Sequence, residues 1–184
     1  MGRKHGPYTI ESSECLHRDE FGEFWVDEVV KPNGERGRYA TMRMLPGISV
    51  LALDGEGFVY LVKQFRYAVG KESVEAVAGG VEGGESEEEA ARRELREELG
   101  VEAGELVDLG LVDAVTSQVF SPSRIFLARD LKFGADADGD EVERLEPLKV
   151  RLEEAVRMVL EGEITQSTTA VLVLKADRYL QDEG

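Results

Sequence analysis

The sequence predicts an α/β fold in which a mixed β-sheet packs between helices, with an additional antiparallel β-sheet formed by the N-terminal strands. Three observations support this prediction. Alternating strand-like segments fill residues 1–45, apolar runs joined by a tight turn come next, and helical segments appear only between and after further strands. With 184 residues the chain is long enough for one hydrophobic core. We therefore expect residues 1–45 to supply the N-terminal strands and residues 46–184 the main domain of the same unit.

The N-terminal region alternates apolar and polar residues at the period of two that is typical of β-strands. Strands are predicted over residues 8–10, 24–30 and 39–44. The sequence Lys31-Pro-Asn-Gly34 supplies a hairpin turn between the last two, because proline and asparagine-glycine favour tight reversals of the chain. This pattern predicts an antiparallel sheet.

The main domain begins with two apolar runs, residues 48–53 and 58–62, joined by Asp54-Gly-Glu-Gly57, a strong hairpin signal. A short strand over residues 74–78 leads into a glycine-rich turn at residues 79–84. Further strands are predicted over residues 106–115, 124–128 and 148–151. Strands and helices in this order favour a mixed sheet over a doubly wound parallel one.

The clearest helix is predicted over residues 87–99. Ser86 and Glu89 have the spacing of a capping box at its start, and Gly100 is a natural stop at its end. Two amphipathic helices are predicted further on, over residues 152–160 and 167–180.

Composition excludes several classes of protein. The formal net charge is -16, which repels phosphate backbones, so we expect no nucleic-acid partner. No apolar run approaches the roughly 20 residues needed to span a bilayer. Cys15 is alone and cannot form an internal disulfide. We therefore expect a cytoplasmic protein with no membrane partner.

Three glutamates of the first predicted helix, Glu94, Glu97 and Glu98, are spaced i, i+3 and i+4 and so share one helix face. Like charges at these spacings repel each other, and a bound divalent cation would compensate them. Oxygen ligands that leave positions to water and phosphates are what Mg²⁺ prefers. Arg93 is expected to orient a carboxylate by charge-assisted hydrogen bonding. An acidic helix face is otherwise most often solvated surface.

The segment from Gly79 to Val101 favours a metal site over a solvated acidic surface, because it carries further residues at fixed spacing. Seven identities and two apolar positions would coincide by accident with a probability on the order of 10⁻⁵ at the residue frequencies of this chain. They match the Nudix box, Gly-x5-Glu-x7-Arg-Glu-U-x-Glu-Glu-x-Gly-U with U apolar, at every specified place. The chain therefore resembles the Nudix hydrolases.

The resemblance implies the Nudix α/β/α sandwich and hydrolysis of a diphosphate by metal-bound water. Carried over residue by residue, it implies Glu94 and Glu98 as the main metal ligands and Glu97 as a ligand directly or through water. The carbonyl of Ala78 would be a further ligand, and Arg93 would position the glutamates. The implied cofactor is Mg²⁺, for which Mn²⁺ can substitute.

In the branch of this family that acts on ADP-ribose, the catalytic base comes from a loop well after the box. Here Glu141 and Glu143 lie in or after an acidic, turn-prone stretch, residues 134–141, and either is a candidate. The alternative, that both are ordinary surface acids with no part in catalysis, has equal weight.

Outside the box, about residues 40 to 175 resemble the ADP-ribose pyrophosphatase branch. The resemblance implies Arg66, Glu75 and Gly79 as substrate-binding residues, and guanidinium geometry suits phosphate recognition. Two places depart from the branch: Val77 stands where proline is usual, and residues 115–117 stand where Ser-Pro-Gly is usual.

The implied reaction is hydrolysis of ADP-ribose to AMP and ribose 5-phosphate. GDP-mannose or another nucleoside diphosphate sugar is the alternative substrate, together with dinucleoside polyphosphates and damaged nucleoside triphosphates. A non-catalytic Nudix-like nucleotide sensor is the alternative of another class. Members of the branch commonly pair through their N-terminal sheets, so the resemblance also implies a homodimer.

Overall fold

The computed structural model describes residues 2–134 and 146–183. The strands over these residues are β1 (Arg3–His5), β2 (Tyr8–Arg18), β3 (Gly22–Val30), β4 (Arg36–Met44), β5 (Gly47–Leu53), β6 (Phe58–Arg66), β7 (Lys71–Glu75), β8 (Val77–Gly80), β9 (Val101–Asp113), β10 (Val119–Phe120), β11 (Pro122–Phe133) and β12 (Glu146–Arg151). The helices are α1 (Glu87–Leu99), α2 (Leu152–Leu160) and α3 (Ser167–Glu183). Each predicted strand and helix has a counterpart here except the single strand predicted over residues 74–78, and several extend beyond their predicted ends.

The first sheet has the strand order β1-β2-β3-β4-β10. Strands β1 to β4 pair antiparallel, as predicted for the N-terminal region, and β10 joins β4 in parallel. β1 and β10 have three and two residues. Such short segments show no alternating pattern, so neither strand was predicted from the sequence.

Two compact units make up the described chain. One contains the N-terminal residues up to Leu45 together with Asp113–Pro122, and the other contains Pro46–Val112 and the chain from Ser123 onward. Asp113–Pro122 was expected in the main domain, but its strand β10 pairs with β4 of the first unit. In the described part of the chain, none of the helices is long and apolar enough to cross a membrane.

The second sheet has the strand order β12-β6-β5-β11-β9, with β7 paired to β6 and β8 paired to β5. β11 lies parallel to β5, whereas β6 and β8 lie antiparallel to it. β7 and β12 are both antiparallel to β6. This sheet is therefore mixed, as the order of elements predicted.

Strand β5 contributes to two separate cores, because successive side chains of a strand point to opposite faces of its sheet. Ile48 and Val50 belong to the core that contains the buried face of α1. Leu51 and Leu53 belong to the core that contains α2 and α3. Helices thus cover both faces of the sheet, which is the predicted α/β/α sandwich.

The predicted single strand over residues 74–78 is wrong, because the structure has two strands there. The chain changes partner at Ala76: Glu75, the last residue of β7, pairs with β6, whereas Val77, the first residue of β8, pairs with β5. β5 and β6 pair with each other beside their shared hairpin turn. β7 and β8 therefore fill the fork where β5 and β6 separate, and Ala76 is the crossing point.

Candidate active site

Local sequence signals fix both ends of α1. At its start, the Ser86 side chain accepts a hydrogen bond from the backbone N–H of Glu89, and the Glu89 carboxylate accepts one from the backbone N–H of Ser86. At its end, Gly100 adopts the left-handed conformation with φ of 63°, which glycine reaches without steric cost. The buried side of the helix, which includes Leu95, packs on the sheet. The acidic face is thereby held at the edge of the core.

Arg93 gathers the carboxylates on this face. Its Nη1 donates to Glu94 Oε1 at 2.7 Å and to Glu97 Oε2 at 3.0 Å. Its Nη2 donates to Glu85 Oε1 at 2.8 Å and to the carbonyl of Gly80 at 3.0 Å. Because the planar guanidinium offers donors in a rigid fork, one side chain fixes three acids relative to the strand.

The pKa values in this network move in the directions that its contacts require. Hydrogen bonding to Glu85 raises the pKa of Arg93, and the same bond lowers the pKa of Glu85. Glu94 behaves differently, because burial raises the pKa of its carboxyl despite the hydrogen bond from Arg93. Burial of the charged form of Glu94 is therefore costly.

Strand β8 lies directly against the acidic helix face. A Cβ atom added at Gly79 would lie 1.8 Å from Glu94 Oε1, so only glycine allows this carboxylate to rest on the backbone. One residue earlier, the backbone N–H of Ala78 donates to Glu98 Oε1 at 3.4 Å. Ala78, Gly79, Glu94 and Glu98 therefore meet at one place.

The residue types at this place fit a divalent cation. Carboxylate oxygens and a strand backbone are hard oxygen donors, as Mg²⁺ prefers, and glycine at position 79 leaves room for Glu94 beside the backbone. Within residues 2–134 and 146–183, no three acidic, histidine or cysteine side chains already form a metal cage. Arg93 instead holds Glu94 and Glu97 through hydrogen bonds.

The second predicted arginine lies at the end of β6. Arg66 Nε donates to Glu75 Oε1 at 3.1 Å, and its Nη2 donates to Glu75 Oε2 at 2.6 Å. Glu75 is 3% exposed, whereas the Arg66 side chain is 40% exposed. The buried acid thus orients the guanidinium, which reaches the surface.

Glu85 is a further glutamate of the Nudix box, and the sequence alone did not indicate its partner. The structure pairs it with Arg93 and lets it accept a hydrogen bond from the backbone N–H of Glu82 at 2.7 Å. The candidate bases Glu141 and Glu143 lie outside the described residues. Two cavities of about 670 and 710 Å³ are lined by residues other than the box glutamates, so cavity size does not locate this site.

Comparison with known proteins agrees with the fold. A family model of the NUDIX domain matches residues 43–168, which is more than half of the chain. The chain therefore belongs to the NUDIX family, and it is a Nudix hydrolase.

Curated relatives and a solved structure indicate the branch of that family. ADP-ribose pyrophosphatase of Bacillus subtilis is 33% identical over 162 residues, which cover 86% of this chain and 84% of the relative. The methanol dehydrogenase activator of Bacillus methanolicus is 32% identical, over 98% of this chain and 96% of the relative. A crystal structure of an ADP compounds hydrolase superposes with a TM-score of 0.84 at 23% identity, covering 99% of this chain and 98% of that one, and shows the shared fold. The branch is the ADP-ribose pyrophosphatase-like one.

Proposed function

We propose that this protein is a Mg²⁺-dependent diphosphate hydrolase that converts ADP-ribose to AMP and ribose 5-phosphate. The observation that carries the proposal is the meeting of β8 with α1, where Gly79 makes room for the Glu94 carboxylate and Ala78 contacts Glu98. Nudix hydrolases generally use divalent metal ions. The named relative from Bacillus subtilis supports the choice of substrate.

Glu94, Glu97 and Glu98 would hold the metal ions, together with the carbonyl of Ala78. A bound divalent ion supplies charge neutralisation at phosphorus and lowers the pKa of a coordinated water. Arg93 keeps two of the carboxylates oriented through Nη1, at 2.7 and 3.0 Å. Without this arginine, like charges on one helix face would repel and spread.

Arg66 would bind a phosphate of the substrate. Its contact with Glu75 fixes the plane of the guanidinium, so less side-chain entropy is lost when an anion binds. Glu75 is nearly fully buried, so we expect it to serve the substrate through Arg66. Gly79 would let the substrate and Glu94 approach the backbone closely.

The proton of the attacking water requires a base, and we place this role on Glu141 or Glu143. The support is the family resemblance, in which the base follows the box on a later loop. Glu141→Gln and Glu143→Gln should differ sharply in turnover, measured with saturating Mg²⁺. If neither variant loses turnover, neither glutamate supplies the base.

A substrate panel tests the proposed reaction. The purified protein is incubated with Mg²⁺ and ADP-ribose, GDP-mannose, another nucleoside diphosphate sugar, a dinucleoside polyphosphate or an oxidised nucleoside triphosphate, and the products are separated by chromatography. AMP and ribose 5-phosphate as the fastest-formed products support the proposal. Preferred cleavage of GDP-mannose supports the alternative substrate, and tight nucleotide binding without turnover supports the sensor.

The assembly and location of the protein belong to the same proposal. We propose a homodimer that pairs through the N-terminal sheet, β1 to β4 with β10, as the family resemblance implies. The lone Cys15 fits a reducing compartment, which supports the cytoplasm. Light scattering of the purified chain measures the oligomeric state, and a monomeric mass at micromolar concentration would contradict the dimer.

A further inference from the structure

Thr169, in the first turn of α3, contacts the crossing point between β7 and β8. Its hydroxyl oxygen accepts a hydrogen bond from the backbone N–H of Ala76 at 2.9 Å, between residues that lie 93 positions apart in sequence. Thr169 and Ala76 are each 1% exposed. Water therefore does not compete for this bond.

The backbone N–H of Ala76 needs such a partner because Ala76 belongs to neither strand ladder. β7 ends at Glu75 and β8 begins at Val77, and each pairs with a different neighbour. A buried backbone N–H without a partner is costly, and at a strand it normally bonds to an adjacent strand. Here a side chain on α3 takes the place of the missing strand.

Thr169 is itself held firmly. Its backbone N–H donates to the side-chain oxygen of Gln166 at 2.5 Å, at the start of α3. The helix then packs into the core through fully buried residues, including Leu172 and Val173. The hydroxyl therefore projects from a rigid element rather than from a loop, which is what precise positioning requires.

Ala76 connects the two parts of the candidate site. One residue before it, Glu75 holds Arg66, and two residues after it, Ala78 contacts Glu98. We propose that Thr169 is a positioning residue, whose hydroxyl fixes the Ala76 peptide and thereby the relative orientation of the anion-binding side and the metal side. This inference rests on the proposed function of the site.

The test replaces Thr169 by valine, which has the same shape but lacks the hydrogen-bonding hydroxyl. We expect Thr169→Val to lower kcat for diphosphate hydrolysis by about tenfold, with a smaller change in KM, because small misplacements of reacting groups are costly. Thr169→Ser keeps the hydroxyl and should retain most of the activity. Thr168→Val is the matched control, since Thr168 is also buried and is the preceding residue of α3.

Backbone amide exchange gives a readout that needs neither metal nor turnover. The Ala76 amide should exchange faster with solvent in Thr169→Val than in Thr168→Val. Equal kcat values and equal Ala76 exchange in these two variants would overturn the inference. If Thr169→Val does not fold, Thr169→Ser and Thr169→Ala make the same comparison, because they differ only in the hydroxyl. Failure of the wild-type protein to cleave any diphosphate would refute the proposed function instead, and the exchange result would still stand.

Discussion

The two arginines of the candidate site are held in opposite ways. Arg93, on α1, donates to the carboxylates of Glu85, Glu94 and Glu97 and to a backbone carbonyl, and its side chain is 20% exposed. Arg66, at the end of β6, donates through two nitrogens to the carboxylate of Glu75, and its side chain is 40% exposed.

This difference indicates two separate tasks. A guanidinium that bonds several acids at once sets the spacing between them, and its own charge is already balanced by theirs. In Arg66, two hydrogen bonds to the buried Glu75 carboxylate fix the plane of the guanidinium, and the side chain is 40% exposed, which suits contact with an anion. We therefore expect Arg93 to affect turnover and metal binding, and Arg66 to affect substrate binding.

The largest effect should come from Glu98, a proposed metal ligand on the helix that carries Arg93. Glu98→Gln should lower kcat on the order of 10³-fold, because in the proposed mechanism the metal would lose a charged ligand in a site where electrostatic stabilisation dominates. Circular dichroism and the melting temperature should stay close to wild type, since less repulsion remains on the helix. Glu88→Gln, at an exposed position of the same helix, is the control and should keep full activity. Full activity of Glu98→Gln would refute the proposed metal-dependent mechanism.

Substitution of Arg93 should have the next largest effect. Arg93→Lys keeps the charge but not the planar fork, so one ammonium cannot reproduce the bonds to three carboxylates. We expect kcat to fall by about 10²-fold and Mn²⁺ affinity to weaken by 10- to 100-fold, on the order seen for groups that orient metal ligands. Steady-state kinetics and Mn²⁺ titration followed by electron paramagnetic resonance measure both. A change confined to KM would show that Arg93, like Arg66, acts on substrate binding.

Arg66→Lys should act on substrate binding instead. We expect KM for the diphosphate substrate to rise by about tenfold with little change in kcat, because a bidentate contact is lost before the chemical step. Arg124→Lys is a matched control, since Arg124 likewise donates through Nε and Nη2 to one carboxylate, that of Asp108, and it also contacts Glu87. A drop in kcat with KM unchanged would contradict the assigned difference between Arg66 and Arg93.

The smallest effect on turnover should follow substitution of Asp54, a carboxylate that has no proposed role in the reaction. This substitution tests whether a loss of stability by itself lowers activity. Burial opposes ionisation of Asp54, but hydrogen bonds from Phe58 N, Lys149 and the Tyr60 hydroxyl lower its pKa from 3.8 to about 2. Because the folded pKa lies below the unfolded one, this stability is present above pH 3.8 and is lost as the pH falls through about 2.

Asp54→Asn should therefore lower the free energy of unfolding by about 1–2 kcal/mol at pH 7, a range that allows for solvent screening. The difference from wild type should shrink in urea titrations between about pH 4 and pH 2. Turnover should stay within about twofold of wild type, because the change is confined to the β5–β6 turn. Glu56→Gln, an exposed acid in that turn, serves as the control. A stability loss that did not depend on pH would reject the ionised role of Asp54.

Helix α1 was predicted correctly from the sequence because local signals mark both of its ends. The capping pair of Ser86 and Glu89 and the left-handed Gly100 act within a few residues, so the predicted bounds 87–99 agree with the structure. The spacing of the box glutamates and Arg93 also follows from helical geometry, which places them on one face. The helix and its acidic face can therefore be predicted from the sequence.

Contacts between segments that lie far apart in the sequence could not be predicted from local signals. The break at Ala76 arises because β5 and β6 separate, and no local pattern in Val-Glu-Ala-Val marks it. The bond from Thr169 joins segments 93 residues apart. The partner of Glu75, nine residues after Arg66, depends on the register of the β6–β7 hairpin. Such features depend on tertiary pairing, which periodicity does not report.

The crossing at Ala76 also sets a length. Ala78, beside the acidic helix face, lies three positions after Glu75, which holds Arg66, and a strand advances about 3.3 Å per residue. The two anchoring points can thus be no more than about 10 Å apart along the backbone. If Arg66 binds a phosphate and the glutamates of α1 hold the metal, as proposed, an insertion in this short crossover should shift the two groups relative to each other and change which diphosphates are cleaved.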